Sequence, residues 1–421
     1  MARNHFGTDG VRGIVGESLT LDLVERLGLA STLWSGSGRV FVGRDTRGSG
    51  PALEEALVRG IVAAGGIAVL GGVLPTPAVA LLVQDLGIVL SASHNPPEYN
   101  GVKFFDREGH KLSDADEEAI EELLNASRPG TGSAEVVEAA ADRYVEHVLE
   151  HFGSDLGGLR IAVDCANGAF SAIAPAVFER LGAEVTTVAD TPDGSNINVG
   201  CGATDLRLLQ EVVTNGTYDL GIAFDGDGDR MLAVDELGAA LDGDQILAVL
   251  ALALGIDTVA VTAMTNLGFH HLMAERGIRV LTTDVGDRHV LAAMRAEGAV
   301  LGGEQSGHLI YLDGHVAGDG LAAALLLCRS LAGCSLAAAA GVMPLYAQAK
   351  ENVRVAARDL PPAVSEEVAR LNAELAGRGR VLVRPSGTEP VVRVLVEADS
   401  EWEARELCGR VVTLVRSESC S

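Results

Sequence analysis

Residues 39–70 read RVFVGRDTRGSGPALEEALVRGIVAAGGIAVL: a short β-branched run, a helix-length segment rich in Ala and Leu, and a second apolar run. This order is typical of a β-α-β unit, in which a helix connects two strands of one sheet. The same order recurs from LRIAVDCANG (159–168) to EVTTVAD (184–190), and from DTVAVTAMTNLG (257–268) to IRVLTTD (278–284). The sequence therefore predicts an α/β fold with three similar α/β domains that contain mixed sheets.

The C-terminal segment has a different order of elements. Its pattern is strand, acidic helix, two strands and helix, read from NVRVAARDL (352–360), PPAVSEEVARLNAELAG (361–377), RVLVRPSGTEPVVRVLVEA (380–398) and SEWEARELCGRVVTLVR (400–416). This pattern predicts a smaller α+β domain. The predicted domains are residues 1–150, 151–250, 251–347 and 348–421, arranged around a central cleft.

Composition and charge restrict the partners of the chain. The 421 residues are 48% hydrophobic, and 58 acidic residues against 32 basic ones give a net charge of −26. This charge repels nucleic acid and anionic lipid, so neither is expected as a partner. An anionic small-molecule substrate would need a local cluster of cations and backbone donors.

The sequence also predicts the compartment. The first residues, MARNHFGTDGVRG, contain no apolar leader, and no apolar run long enough to span a bilayer follows. The six cysteines form no CxxC pair and show no zinc-like spacing with histidine. We therefore expect a cytoplasmic protein with incidental thiols and no membrane segment.

Four polar loops each follow a short apolar run. They are SASHNP (91–96), DGDGDR (225–230), GGEQSGH (302–308) and RPSGTEP (384–390), named here the serine, aspartate, sugar and phosphate loops. Ligand groups gather beyond the carboxyl ends of strands in α/β sheets, so the four loops are predicted to line one cleft. The chain contains neither a GxxxxGK[ST] phosphate loop nor a GxSxG elbow, so the serine loop needs another explanation.

The aspartate loop predicts a metal site. Asp225, Asp227 and Asp229 alternate on a glycine-containing turn, and convergent carboxylates suit Mg²⁺ or Ca²⁺. An EF-hand is the first alternative, but Arg230 stands where its sharp turn needs glycine. A haloacid-dehalogenase-type phosphatase is the second, but that pattern continues with Thr or Val where this chain has Asp229.

The other loops offer groups for anion and sugar binding. In the phosphate loop, Arg384 can bind a phosphate in bidentate fashion, and the following residues can add hydroxyls and backbone N–H groups. In the sugar loop, Glu304, Ser306 and His308 are two residues apart and can face one side if the loop is extended. Arg12 is predicted to lie on the glycine-rich turn FGTDGVRG (6–13).

The four loops, in this order, resemble those of the α-D-phosphohexomutase superfamily, and the similarity covers essentially the whole chain. The segments FGTDGVRG, GRDTRGSG (43–50), NGVKFF (100–105), NINVGCG (196–202), NLGF (266–269) and VGDR (285–288) are similar to the bacterial branch that acts on glucosamine phosphates. The sugar loop contains Gln305, where phosphomannomutase/phosphoglucomutase relatives usually have Met. Three segments depart from the branch: CGATDL (201–206), HVAGDG (315–320) and His289 in VGDRHV.

The resemblance implies an isomerase of amino-sugar metabolism. It would interconvert glucosamine 6-phosphate and glucosamine 1-phosphate through a phosphoserine enzyme and glucosamine 1,6-bisphosphate, with one Mg²⁺ per active site. The product would feed UDP-N-acetylglucosamine and peptidoglycan precursors. A phosphosugar is then the expected partner, and the resemblance is compatible with a homodimer. The alternative is a phosphomannomutase/phosphoglucomutase.

The resemblance also implies residue roles. Ser93 would be the phosphoserine and would bind Mg²⁺ together with Asp225, Asp227 and Asp229. Catalysis would involve Ser93, Lys103, His308 and Arg12. Substrate binding would involve His94, Arg230, Glu304, Ser306, Arg384, Ser386, Gly387 and Thr388.

Two serines compete for the nucleophile position. Ser91 directly follows the apolar run GIVL, so its hydroxyl is expected to bond nearby backbone. Ser93 lies further into the loop, where its side chain can leave the sheet and reach the cleft. We therefore predict phosphate on Ser93 rather than Ser91.

Overall fold

The computed structural model describes residues 5–7, 9–36, 38–127, 130–355, 360–385 and 391–419. By internal contacts the chain divides into two compact units. The first comprises Met1–Thr262 and Leu281–Ala340, and the second comprises Ala263–Val280 and Gly341–Ser421. The serine, aspartate and sugar loops belong to the first unit, whereas the phosphate loop belongs to the second. The four predicted domain limits remain predictions.

The first sheet has six strands in the order β1-β5-β4-β2-β3-β6. It is mixed, because β2 runs parallel to β3 and β4 whereas β5 runs antiparallel to β1 and β4. Its strands and their helices are β1 (Val11–Ile14), α1 (Leu21–Ser35), β2 (Arg39–Arg44), α2 (Gly50–Ala63), β3 (Ile67–Val73), α3 (Thr76–Leu82), β4 (Leu86–Leu90), β5 (Tyr99–Phe105), α4 (Asp114–Glu122), β6 (Ser133–Val136) and α5 (Ala140–Phe152).

The second sheet has five strands in the order β11-β10-β9-β7-β8. It is mixed as well, since β7 is parallel to β8 and β9 whereas β10 is antiparallel to β9 and β11. Its strands and their helices are β7 (Arg160–Asp164), α6 (Ala174–Arg180), β8 (Glu184–Val188), α7 (Arg207–Asn215), β9 (Leu220–Phe224), β10 (Met231–Asp235) and β11 (Ala240–Leu241).

The third sheet has four strands in the order β13-β12-β14-β15. The strand β14 is parallel to β12 and antiparallel to β15, so the predicted mixed sheets are confirmed in all three cases. The elements of this part of the chain are α8 (Gly243–Ala253), β12 (Thr258–Thr262), α9 (Leu267–Glu275), β13 (Arg279–Thr283), α10 (Asp287–Glu297), β14 (Leu301–Gly303), β15 (Leu309–Tyr311), α11 (Gly320–Leu331) and α12 (Leu336–Ala340).

The C-terminal sheet has three antiparallel strands in the order β16-β18-β17. Its elements follow the predicted strand-helix-strand-strand-helix order: β16 (Ala347–Arg354), α13 (Pro362–Leu375), β17 (Arg380–Pro385), β18 (Val391–Ala398) and α14 (Glu401–Ser419). The strand β16 begins five residues before the predicted NVRVAARDL run, because Ala347 already pairs with Ala398. Residue pairing rather than apolar composition sets this boundary.

The helix α9 belongs to the same compact unit as the C-terminal sheet. Glu397 is fully buried there and accepts from the backbone N–H of Leu267 at 3.1 Å and from Gln348 Nε2 at 2.8 Å. Arg380 forms an ion pair with the same carboxylate. A buried carboxylate is stable only when it is paired and hydrogen-bonded, so these contacts attach the start of α9 to the sheet.

The strands that lead into the functional loops are the most buried elements. All five residues of β4 and all five residues of β9 are buried, as expected for near-continuous apolar strands inside a covered sheet. The strand β6 precedes helix α5 and lies at the edge of the first sheet. Its four residues are exposed and pair only with the edge of β3, so no apolar pattern marks them. Among the described helices, none has the length and apolarity of a bilayer-spanning segment.

Candidate active site

The serine loop begins directly at the end of a buried strand. Strand β4 ends at Leu90, and Ser91 is the first loop residue. The Ser91 hydroxyl donates to Asp45 Oδ2 at 2.6 Å and accepts from the backbone N–H of Ser93 at 2.9 Å. These groups are buried, so the hydroxyl fixes the turn that leads to Ser93. The predicted backbone-bonding role of Ser91 is confirmed.

A buried arginine binds the same loop. The side chain of Arg47 has no exposed surface, and its Nε donates to Asp45 Oδ2 at 2.9 Å. Its Nη2 donates to the carbonyl oxygens of Ser93 and Asn95 at 2.9 and 2.8 Å, and its Nη1 to that of Tyr99 at 3.0 Å. A guanidinium offers five donors in one plane, so a single side chain holds several loop carbonyls.

Ser93 has a backbone conformation that residues other than glycine rarely adopt. Its φ angle is 53°, in the left-handed region. Its carbonyl accepts from Arg47 and from Asn198 Nδ2, the latter at 2.8 Å, and these two donors hold the peptide in place. A Cβ atom on Gly226 would lie 2.8 Å from the same carbonyl oxygen. The aspartate loop therefore requires glycine at this position to approach the serine.

The predicted nucleophile contacts the predicted metal loop. Ser93 Oγ donates to Asp225 Oδ2 at 2.6 Å, and His94 Nδ1 lies 3.4 Å from the same hydroxyl. Burial, together with the charges of Arg230 and Arg12, lowers the pKa of His94 to about 4. The imidazole of His94 is therefore neutral near pH 7 and can accept a hydrogen bond from a substrate.

The aspartate loop is a tight turn between β9 and β10. Asp225 Oδ1 accepts from the backbone N–H groups of Gly228 and Arg230 at 3.1 and 3.2 Å. Asp225, Asp227 and Asp229 are buried, and one carboxylate oxygen from each lies within 4.8 Å of the others. Burial and the two neighbouring carboxylates raise the pKa of Asp225 well above its ordinary value.

This carboxylate cluster fits a hard divalent cation. Asp227 Oδ1 is buried without a hydrogen-bond partner among the described residues, so its lone pairs face no donor. Convergent carboxylate oxygens are the ligands that Mg²⁺ and Ca²⁺ prefer, and Ser93 adds an adjacent oxygen. The loop lies between two strands rather than two helices, which excludes the EF-hand alternative.

The predicted catalytic lysine lies among these carboxylates. Lys103 is in β5, is 1% exposed, and places Nζ 2.6 Å from Asp227 Oδ2 and 3.3 Å from Asp229 Oδ2. Burial alone would lower the pKa of Lys103, but these acids and Asp9 outweigh it and raise the pKa. Lys103 is thus held as a cation, suited to stabilise negative charge or donate a proton rather than to accept one.

The sugar loop is a tight hairpin turn. It is not extended, although an extended loop is what would let Glu304, Ser306 and His308 face one side. Glu304 and His308 close the turn, since the N–H of Glu304 donates to the carbonyl of His308 at 3.0 Å. Ser306 is exposed at the tip. Glu304 Oε1 accepts from the backbone N–H of Gly286 at 3.1 Å. The three side chains therefore do not share one face by simple alternation.

His308 is buried between two carboxylates. Its Nδ1 lies 3.7 Å from Asp229 Oδ1, and its Nε2 lies 3.5 Å from Asp287 Oδ2. Burial alone would lower the pKa of His308, but these two carboxylates outweigh it and raise the pKa. A Cβ atom on Gly318 would lie 2.3 Å from His308 Nε2, so the backbone there packs directly against the ring.

Two arginines lie beside these groups. Arg12 was expected on a glycine-rich turn, but it lies in β1, because β1 pairs antiparallel with β5. Its Nη1 donates to the carbonyl of Ala92 at 3.3 Å, and Nη2 pairs with Asp9. Arg230 Nε lies 3.7 Å from Asp229 Oδ1. Arg12 therefore contacts the serine loop directly, and the charge of Arg230 acts on His94 of the same loop.

The phosphate loop is described only at its start. Arg384 lies near the end of β17, opposite Arg393 on β18. Two guanidiniums on neighbouring strands point to the same face of a sheet, which favours binding of a dianion. Ser386, Gly387 and Thr388 lie outside the described residues, so their assignment stays a prediction.

Several residues of the site had no role in the sequence prediction. They frame the serine loop or extend the charge network around His308: Asp45, Arg47, Asn198, Asp9, Lys111 and Asp287. All of them except Lys111 lie in segments that carry the family resemblance. The composition could have pointed to Lys111 as a site residue. The chain has only three lysines, and two of them, Lys103 and Lys111, lie in or beside one hairpin.

Four family models match the chain in succession. All are described as phosphoglucomutase/phosphomannomutase models: alpha/beta/alpha domain I matches residues 3–130, domain II 142–238, domain III 242–350 and the C-terminal domain 347–414. Together they span nearly the whole sequence.

Individual relatives agree with the family models. The chain is 48% identical to a phosphoglucosamine mutase from Moorella thermoacetica, over 96% of this chain and 97% of the relative. It is 47% identical to a phosphoglucosamine mutase from Saccharopolyspora erythraea, over 97% and 98%. A phosphoglucomutase/phosphomannomutase family protein from Burkholderia thailandensis has a crystal structure with a TM-score of 0.83 and 26% identity, covering 99% of this chain and 98% of that one. Because these matches span nearly its full length, the chain belongs to the phosphoglucomutase/phosphomannomutase family and, within it, to the phosphoglucosamine mutases.

Proposed function

We propose that this protein interconverts glucosamine 6-phosphate and glucosamine 1-phosphate through a phosphorylated Ser93. The observation that carries the proposal is the 2.6 Å hydrogen bond from Ser93 Oγ to Asp225, within a cluster of three buried aspartates. A serine hydroxyl held against a cation-binding loop is suited to carry a phosphoryl group. The curated relatives that the chain resembles over nearly its whole length are phosphoglucosamine mutases.

The proposed first step moves the phosphoryl group from the enzyme to the sugar. The free hydroxyl of the substrate attacks the phosphorus of phosphoserine, and the bond from phosphorus to Ser93 Oγ breaks. The sugar becomes glucosamine 1,6-bisphosphate. The proton lost by the attacking hydroxyl is transferred, with His308 as the nearby relay, and Ser93 Oγ ends protonated and donating to Asp225. The second step reverses these events with the other phosphate.

Cations of the chain stabilise this transfer. Phosphoryl transfer depends chiefly on alignment and on neutralising charge on the phosphoryl oxygens. Asp225, Asp227 and Asp229 would hold Mg²⁺, which would supply part of that neutralisation. Arg12, Arg230 and Lys103 supply the rest. In a protein of net charge −26, such a local cluster is needed to hold any phosphorylated sugar.

The bisphosphate must turn over between the two steps, and this requires a second phosphate site. Arg384, with Ser386, Gly387 and Thr388, is proposed to bind the phosphate that is not reacting. His94, Glu304 and Ser306 are proposed to contact the substrate at the other loops. Glucosamine 1,6-bisphosphate then acts as both intermediate and activator.

The proposed setting is the cytoplasm, on the route to UDP-N-acetylglucosamine and peptidoglycan precursors. Five described cysteines are free thiols, and four of them are buried, which is compatible with a reducing compartment. A homodimer remains a prediction, and sedimentation of the purified protein would settle it.

A coupled mutase assay tests the proposed function. Glucosamine 6-phosphate, glucose 1-phosphate and mannose 1-phosphate are compared under matched conditions, with Mg²⁺ and a trace of the matching 1,6-bisphosphate. We expect the highest kcat/KM for the amino sugar. A higher kcat/KM for either hexose phosphate would instead favour the phosphomannomutase/phosphoglucomutase alternative. No turnover of any of the three would reject a mutase altogether.

A further inference from the structure

The charged groups around the site form a closed ring. Carboxylates and cationic side chains alternate around it, and its six members in order are Asp9, Lys103, Asp229, His308, Asp287 and Lys111. Five of the six neighbouring pairs lie 2.5–3.5 Å apart, and the sixth, between Asp229 and His308, measures 3.7 Å. The family resemblance assigns roles to three members, and the other three are unassigned.

Lys111 is placed by a short hairpin. The chain turns at residues 106–110 after β5, and Lys111 bridges back to Phe105. Cross-strand partners point to the same face of a sheet, so the side chains of Lys111 and Phe105 share a face. Side chains two apart on one strand also share a face, so Lys103 lies on that face with them. Its Nζ lies 2.5 Å from both Asp9 Oδ1 and Asp287 Oδ2.

Asp287 is placed by the start of a helix. It lies in the segment matched by the domain III model, whereas Lys111 lies in the segment matched by the domain I model. It is the first residue of α10, and the preceding residue, Gly286, is held by Glu304 of the sugar loop. Its Oδ2 atom contacts both Lys111, at 2.5 Å, and His308 Nε2, at 3.5 Å. One carboxylate oxygen therefore joins the hairpin after β5 to the imidazole.

We propose that Lys111 and Asp287 are positioning residues for His308, and that they fix the imidazole against the aspartate loop during phosphoryl transfer. The proposal rests on the proposed function. Without the ammonium group of Lys111, Asp287 loses its nearest cation and is free to swing away, and His308 loses the contact at Nε2. The pKa of Asp287 supports this view: burial would raise it, but Lys111 and His308 hold it below its ordinary value.

The pair should affect the chemical step more than substrate binding. Lys111 and Asp287 are 16% and 18% exposed, and each is already paired within the ring. A proton relay misplaced by about 1 Å can slow a reaction by about 100-fold. Loss of either charge should therefore lower kcat while leaving the KM for glucosamine 6-phosphate nearly unchanged.

Three variants and one control test the proposal: Lys111→Met, Asp287→Asn, the double variant, and Arg295→Met. Arg295 lines the same cavity of about 250 Å³ as Lys111, Asp287 and His308 but is outside the ring, so it controls for loss of a cation from this wall. For each protein, kcat, KM and the single-turnover rate from phospho-Ser93 are measured. The ring NMR signals of His308 are recorded as a readout independent of turnover.

We expect Lys111→Met and Asp287→Asn each to lower kcat and the single-turnover rate about 10- to 100-fold, with KM changed less than about threefold. Because the two residues act on one imidazole, the double variant should be no more than about threefold slower than the slower single variant. The His308 signals should shift in both single variants. Arg295→Met should stay within about twofold of wild type in kcat and leave these signals in place.

Unchanged kcat, or a rise in KM alone, in both single variants would overturn the proposal. Fully multiplicative losses in the double variant, or unmoved His308 signals, would do the same. If Lys111→Met fails to fold, Asp287→Asn decides alone, because it removes one charge without changing shape. An inactive wild-type protein would reject the proposed function instead, and the His308 signals would still judge the positioning role.

Discussion

The hydroxyl of Ser93 donates to the carboxylate of Asp225 at 2.6 Å, although the two residues are 132 positions apart in the chain. The contact joins a loop that follows β4 in the first sheet to a loop that follows β9 in the second. The hydroxyl therefore touches one carboxylate of the three clustered aspartates that could hold a metal ion. The phosphorylated serine would carry about two negative charges in the same place.

The first prediction concerns the phosphorylated residue. Ser93→Ala should lose nearly all mutase turnover while still binding substrate and Mg²⁺, because the acceptor oxygen is gone. Ser91→Ala should remain phosphorylatable at Ser93 but lose part of its activity, since Asp45 and the Ser93 N–H lose a buried partner. The stability cost of Ser91→Ala should be about 1–3 kcal/mol. Phosphopeptide mass spectrometry locates the phosphate, and its presence on Ser91 alone would overturn the mechanism.

The second prediction concerns the metal. Mg²⁺ should support turnover, whereas Ca²⁺ should bind the same carboxylates and inhibit, because Ca²⁺ tolerates looser geometry and longer ligand distances. Removing metal with EDTA should abolish turnover, and Asp227→Asn should weaken Mg²⁺ binding measured by calorimetry. Equal turnover rates with Ca²⁺ and Mg²⁺ would contradict the requirement for tight geometry.

The third prediction concerns a buried tyrosine behind the site. The hydroxyl of Tyr144 lies 3.0 and 2.8 Å from the two carboxylate oxygens of Asp319, the residue that caps α11. Tyr144→Phe should lower the free energy of unfolding by about 1–3 kcal/mol, because the buried carboxylate loses a donor. The control is Tyr311→Phe, whose hydroxyl has no hydrogen bond within the described part of the chain. Equal denaturation midpoints for the two variants would count against this account.

The fourth prediction concerns pH. Burial, followed by the charges of Arg380 and His271, lowers the pKa of His270 from 6.5 to about 4. The unfolded chain takes up this proton near pH 6.5 and the folded chain near pH 4, so stability from His270 is present above pH 6.5 and is lost as pH falls to about 4. An NMR titration should place the midpoint of His270 near pH 4. A midpoint above pH 6 would show that burial and the neighbouring charges do not lower the pKa of His270.

The fifth prediction concerns the phosphate loop. Arg384→Ala should mainly weaken binding of the phosphate that is not reacting, because one charged bidentate contact is lost. Glucosamine 1,6-bisphosphate should then escape more often per turnover, which chromatography of the reaction mixture measures. The control is Arg378→Ala, which removes an exposed arginine paired with Asp399. If Arg384→Ala releases no more bisphosphate than wild type, the proposed phosphate-binding role of Arg384 is rejected.

The sequence alone determined the class of fold and the position of the principal loops. Apolar runs such as LGIVL and LGIAF become fully buried strands, because a strand covered on both faces must be apolar throughout. The polar residues after them could then be assigned to loops at strand ends. Asp225, Asp227 and Asp229 were predicted to converge, and they do, because glycines between them allow a tight turn.

Tertiary structure alone decided the contacts between distant segments. Nothing in the local sequence indicates that Arg47 binds the carbonyls of the serine loop, or that Lys111 meets Asp287 across 176 residues. The sugar loop is a hairpin turn rather than an extended segment, because β14 and β15 pair on either side of it. Local propensity specifies which helices and strands form. Whether an ion pair forms between two of them depends on the distance between those elements once their shared core is packed. That distance is a property of the folded chain and appears in no single segment of its sequence.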